Sequence, residues 1–134
     1  MKSTAPCPCR ALEDQTRSYG ECCQPWHLGR ADCSALPPTA EQLMRSRYCA
    51  FVLELGEYLL DTWHPDTRPA DVEFDKTVNW TGLEILATRA GGAQATRGVV
   101  HFVAHYRSAG REDSQEERST FIREDGLWFY LDAL

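Results

Sequence analysis

A run of about 18 apolar residues, the length a helix needs to cross a bilayer, is missing from this chain of 134 residues. Association with a membrane is therefore not expected. Nor is a secretory leader expected: Met1 to Thr4 run straight into Pro6 and Cys7, with no apolar segment and no cleavage site between them. The expected setting is a reducing cytoplasm, where the six cysteines do not pair as disulfides. Positive charge is in short supply, with 14 Lys and Arg against 20 Asp and Glu and a net charge of −6. Binding to nucleic acid through phosphate neutralisation is accordingly disfavoured. The one local reservation is Arg45, Arg47 and Arg68, although arginines grouped in this way more often answer the chain's own carboxylates. There is no Walker sequence, no Gly-x-Ser-x-Gly elbow and no His-Glu-x-x-His helix, so no enzyme class is signalled.

Large aliphatic side chains are scarce in the first 38 residues, where only Leu12, Leu28 and Leu36 stand among five prolines. Such a segment cannot bury enough apolar surface to offset roughly 1 to 2 kcal/mol of backbone entropy per ordered residue. Cysteine fills the gap. Cys7-Pro8-Cys9 is followed by the adjacent pair Cys22-Cys23, and four thiolates so close in sequence can close a tetrahedron around one Zn²⁺. A structural zinc contributes on the order of 10 kcal/mol of apparent folding free energy, enough to hold a knuckle of this size. The expected metal ligands are Cys7, Cys9, Cys22 and Cys23. His27 is an alternative fourth ligand should the neighbouring Cys22 and Cys23 be unable to reach the metal together. A four-sulfur site is coordinatively closed, which makes the knuckle structural or recognitive and leaves any catalysis to the rest of the chain. Cys49 reads as a small core residue and Cys33 as a linker residue without a partner.

Cys-Pro-Cys, a spacer ending in Tyr19-Gly20-Glu21 and then Cys22-Cys23 resemble the SEC-C zinc motif found at the C-terminus of the SecA translocase ATPase. Further on, Leu43-Met44-Arg45-Ser46-Arg47-Tyr48-Cys49-Ala50-Phe51-Val52, Tyr58-Leu59-Leu60 and Thr62-Trp63-His64-Pro65 resemble the YchJ family of uncharacterised bacterial proteins. The same is true of Gly98 to Ala104, Glu117 to Phe121 and Trp128 to Asp132. The likeness thus covers nearly the whole chain. One departure is the spacer between the cysteine pairs, Arg10 to Glu21, which is longer than the family's and has Arg10-Ala11 where the family has Gly-Ser. Lengthening a flexible loop by half costs less than about 1 kcal/mol, so the ligand set is expected to be kept while the knuckle's outer surface changes.

Behind the knuckle (residues 1–30) and a linker (31–38), residues 39–134 read as one α+β domain. Thr39 with Gln42 three residues on makes a capping box that opens a helix. Leu43, Met44, Arg47, Tyr48, Phe51 and Val52 lay one stripe along it. Gly56 interrupts the helix, Tyr58 to Trp63 forms a second, and Pro65 ends that one. From Trp80 the period becomes two, with strands expected over about 80–89, 95–108, 115–123 and 127–132 and turns at Gly91-Gly92, residues 109–113 and Asp125-Gly126. Val100, Phe102, Ala104 and Tyr106 form the expected core face of the second strand. Its other face carries His101 and His105, about 13 Å apart at ~3.3 Å per residue and too far apart for one metal. Helices followed by an antiparallel meander give an α+β fold. The YchJ resemblance sharpens this to a nuclear-transport-factor-2-like, or cystatin-like, cone, in which a curved sheet wraps helices and leaves a pocket.

The pocket residues proposed on this basis are Trp63, His64, Glu117, Trp128 and Asp132, with Trp80 and Tyr130 as further aromatic wall. Each also has an ordinary reading: His64 as a helix-end cap, Glu117 and Asp132 as partners of arginines, and the tryptophans as core volume. The sequence therefore favours a zinc-containing binding or adaptor module that meets a protein partner through its knuckle, as the similar motif does in SecA. The competing expectation is an enzyme or small-molecule carrier that uses the cone pocket.

Overall fold

A computed structural model describes all of residues 1–134. The N-terminal segment is folded by two short pairings and two 3-10 turns. Cys7 N donates to Arg17 O at 2.7 Å and Tyr19 N to Ala5 O at 2.7 Å, with Pro6 bridging Ser18. The turns Pro8–Arg10 and Tyr19–Glu21 follow each arm of this loop, so the two cysteine pairs converge. Helix α1 spans Gln24–Gly29, α2 Ala40–Leu53 and α3 Gly56–Asp61.

Thr39 caps α2: its Oγ1 accepts from Gln42 N at 3.2 Å and donates to Gln42 Oε1 at 3.1 Å. The box closes between the side chains. The helix does not end at Gly56 as expected. It ends at Leu53, capped by Glu54 in the left-handed conformation at φ 57°, and Gly56 opens α3. The α2 surface is also not a stripe. Every residue from Leu43 to Ala50 is buried, because the knuckle packs on one side of the helix, the sheet on another and α3 on a third.

The sheet is a four-stranded antiparallel meander in the order β1 (Val78–Ala90), β2 (Arg97–Ser108), β3 (Arg111–Glu124) and β4 (Leu127–Ala133). The β2–β3 connection is tighter than expected. Ala109 and Gly110 both have positive φ, as the two central residues of a type I′ hairpin turn must, so β3 begins at Arg111. Asp125-Gly126 makes the second such turn. Register shifts at Thr81 and Leu86 in β1 and at Leu131 in β4 are the bulges that bend a sheet. The concave face carries Leu83, Val100, Phe102, Ala104, Phe121 and Trp128 against Leu43, Met44 and Tyr48 of α2. On the convex face His101 meets Glu116 and His105 meets Glu84, so neither histidine is available to a metal pair.

The knuckle is part of this core. Cys7, Cys9, Cys22, Cys23 and Cys49 belong to the same buried cluster as Leu43 and Val100. Arg45 fixes it from α2, donating through Nη1 to Cys9 O at 3.1 Å and pairing with Glu13 at 2.6 Å and Glu41 at 3.0 Å. Leu12 packs on Gly82, where a Cβ would come within 2.4 Å of Leu12 Cγ. From the end of α1, Arg30 reaches Trp128 O at 2.9 Å. Of the three arginines singled out in the sequence, Arg45 and Arg47 are 6% and 4% exposed and Arg68 binds Trp63 O. No basic patch results.

Candidate functional site

Two chemically distinct places stand out, a sulfur cluster and a cavity. In the cluster, Cys7 and Cys9 Sγ lie 3.7 Å apart, Cys9 and Cys22 3.6 Å, Cys9 and Cys23 3.7 Å, Cys22 and Cys23 3.9 Å, and Cys7 and Cys49 3.5 Å. A disulfide needs about 2.05 Å, and all six cysteines are free thiols. In a tetrahedron with Zn–S of about 2.3 Å the sulfurs stand about 3.8 Å apart, so these separations fit a four-thiolate metal site. Cys7, Cys9, Cys23 and Cys49 have their sulfurs within 4.8 Å of one another and could hold a metal ion. Cys22, expected as a ligand, touches Cys9 and Cys23 and accepts a hydrogen bond from Arg10 Nε at 3.4 Å.

Five sulfurs thus surround a place for four. The fifth, Cys49, reads from sequence as core packing because it falls in the stripe region of α2, a helix that only the fold brings against the knuckle. Hydrogen bonding from Cys23 leads the causes that lower the Cys22 thiol to about 7, with Cys9 and Arg10 contributing, while Cys22 in turn pushes Cys9 up to about 12. So many sulfurs in one place cannot all ionise without a cation among them. His27 stands outside the cluster. Its Nδ1 accepts from Tyr19 Oη at 2.6 Å and its Nε2 donates to Ser46 O at 2.8 Å, so both ring nitrogens are occupied and it does not take the place of Cys23.

The cavity, about 300 Å³, lies between α2 and the concave face of the sheet. Of the residues expected there, it takes Trp63 and Glu117, with Trp80 and Tyr130 of the aromatic wall. Trp63 bridges Tyr130 in parallel register, and the two rings meet edge-on at 5.2 Å. Glu117 Oε2 accepts from Ser119 Oγ and from Tyr130 Oη at 3.2 Å.

Three expected residues are elsewhere. Side chains alternate along an extended chain, so with Trp63 turned into the cavity His64 turns away from it and is buried on the other side. There its Nε2 meets the Glu124 carboxylate, Nδ1 accepts from Asp66 N, and the ring packs on Phe129. Trp128 is fully buried in the core, its Nε1 donating to Pro38 O at 3.1 Å. Asp132 would share the face of Tyr130, but the Leu131 bulge reverses it, and its Oδ1 accepts from Thr120 Oγ1 at 2.7 Å on the exposed side. Glu117 and Asp132 therefore form no carboxylate pair.

What the sequence reading missed is Arg47, which projects from α2 into the cavity wall. Its guanidinium lies over the Trp63 ring at 5.0 Å and the Tyr130 ring at 4.7 Å, and burial pushes it down to about 10. The available signal was an arginine lying within the apolar stripe of α2.

A cone of helices on a curved antiparallel sheet, stapled at its N-terminus by a cysteine cluster, is the class these features define. The description "YchJ, middle NTF2-like domain" matches residues 39–133, and the chain belongs to the YchJ family. It is 52% identical over 130 residues to UPF0225 protein SCO1677 of Streptomyces coelicolor, covering 97% of this chain and 95% of that one. Over 132 residues it is 46% identical to UPF0225 protein BPP1723 of Bordetella parapertussis, with 98% and 93% covered. Among solved structures, a SEC-C motif containing protein from Psychrobacter arcticus superposes with a TM-score of 0.81 at 30% identity, covering 97% of this chain and 82% of that one. RPA3114 of Rhodopseudomonas palustris, also a SEC-C motif containing protein, gives 0.75 at 27% identity with 96% of each chain covered.

Proposed function

We propose that this chain is a zinc-stapled binding module that meets a protein partner through its knuckle. The observation that carries the metal is the set of buried free thiols at tetrahedral separations. Cys7, Cys9, Cys22 and Cys23 hold the zinc in this reading. The Arg10 guanidinium on Cys22 is the charge-assisted donor expected beside a metal-bound thiolate. Cys49, 3.5 Å from Cys7, is left as a thiol that donates to the Cys7 sulfur. Zinc supplies no open coordination position in a closed four-sulfur set, so its role is to fix the knuckle's outer surface.

That surface is where a partner would dock. Of the five large hydrophobic residues the fold leaves exposed, Met1, Leu12 and Leu28 belong to the knuckle. Leu28, 74% exposed on α1, is an apolar anchor with nothing of its own chain to cover it. A proteomic pull-down with the wild type beside Leu28→Glu tests the reading. Proteins retained by the wild type and lost from the variant, at unchanged zinc content and melting temperature, support recognition through the knuckle. Identical sets would contradict it.

A further inference from the structure

We propose that the cavity is a binding site for a small planar aromatic acid that also carries a hydrogen-bond donor, its carboxylate on Arg47 and its donor on Glu117. This site is separate from the knuckle and does not depend on the knuckle's role.

Arg47 is the odd member among the buried arginines. Arg45 is matched by the two carboxylates of Glu13 and Glu41, and Arg30 bonds backbone carbonyls through both Nη1 and Nη2. Arg47, 4% exposed, has no carboxylate within 4.0 Å. It makes both of its hydrogen bonds through Nη1, to Leu59 O at 2.9 Å and Thr62 Oγ1 at 2.6 Å. Nε and Nη2 make none. A buried cation is stable only when paired or fully hydrogen-bonded, and the guanidinium fork is shaped for one carboxylate. A second donor at the cavity, Trp63 Nε1, is buried and also lacks a partner.

The remaining walls define the rest of the ligand. Trp63, Trp80, Phe102 and Tyr130 line the cavity and suit a flat ring through offset and edge contacts. Glu117 Oε2 is held by Ser119 and Tyr130, which leaves Oε1 to accept from a ligand. A multiply charged phosphate meets no second cation among the lining residues and does meet Glu117, so a singly charged acid with a donor is the better complement. At about 300 Å³ the space is at the lower end of ligand pockets and admits a single substituted ring. The exposed Gln115 at the cavity's edge marks the way in.

The test uses the full zinc-loaded chain labelled with ¹⁵N and titrated with 4-aminobenzoate, benzoate and aniline while the indole N–H signals of Trp26, Trp63, Trp80 and Trp128 are followed. Saturable shifts confined to Trp63 and Trp80 are expected with 4-aminobenzoate. Benzoate and aniline, each lacking one of the two polar groups, should bind about tenfold more weakly or worse. Arg47→Gln should weaken 4-aminobenzoate by a similar factor, and Glu117→Gln should weaken 4-aminobenzoate while sparing benzoate. Because Arg47 also supports α3, Ala104→Leu provides a second variant that fills the cavity without removing a polar group, and it should abolish the shifts. No saturable shift with any of the three compounds would overturn the proposal. So would equal affinity for all three, or binding that survives Ala104→Leu.

Discussion

Cys22 and Cys49 compete for one coordination position, and single substitutions separate them. Cys22→Ser is expected to lose zinc, with a fall in affinity of tenfold or more, about 1.4 kcal/mol at least. Cys49→Ser is expected to keep it, because a hydroxyl can donate to the Cys7 sulfur as the thiol does. Zinc titration against a chromophoric chelator reads both, and the reverse result would make Cys49 the fourth ligand. His27 offers a pH signature. Burial holds its ring below the ordinary 6.5, and with Ser46 O accepting from Nε2 and Tyr19 donating to Nδ1 it is folded as the neutral form. The unfolded chain then binds the extra proton, so the stability due to His27 is complete above about pH 6.5 and is lost as the pH falls from there toward the folded value. NMR titration at fixed free zinc should find the ring neutral, with its proton on Nε2, through pH 6.5. A ring that titrates at or above 6.5 would contradict this.

Contacts between elements show why the sequence revealed some of the site and hid the rest. The period-two pattern placed Val100, Phe102 and Ala104 on the concave face, and all three are buried there. The same arithmetic failed for Asp132 because a single bulge residue, Leu131, reverses every side chain beyond it, and no local signal marks a bulge of that kind. His64 failed for a related reason, since a histidine beside a cavity-lining tryptophan must point the other way in extended chain. Arg47 and Cys49 were hidden by α2. A helix buried on all sides has no polar face to read, so an arginine and a cysteine within it look like packing. Gly82 supplies a prediction at this scale. With Leu12 only 2.4 Å from where a Cβ would stand, Gly82→Ala should lower stability by about 1 to 3 kcal/mol. Adding Leu12→Ala should restore part of that loss, as read by denaturant unfolding; additive losses would show that the two residues are not in contact.

At the scale of the whole molecule, the sulfur cluster lies inside the main apolar core, beside a smaller cluster of Ala50, Tyr58 and Leu59. From the sequence, the knuckle and the domain behind Pro38 look separable, since each has its own means of stabilisation. In the fold, Cys9 is tied to α2 through Arg45, Leu12 covers β1, and Arg30 binds β4. Metal removal should therefore lower the stability of the whole chain in one cooperative transition, seen by near- and far-UV circular dichroism together. Loss of the knuckle alone, with the sheet melting as before, would contradict this and support an independent unit behind residue 38. None of the helices is long and apolar enough to cross a membrane. The most direct test of the account is elemental analysis of protein purified without added metal, combined with thiol titration of the native state. The account predicts close to one zinc per chain, with Cys33, the exposed cysteine, reacting readily and the buried cluster protected. A zinc content near zero with all six thiols reactive would contradict it.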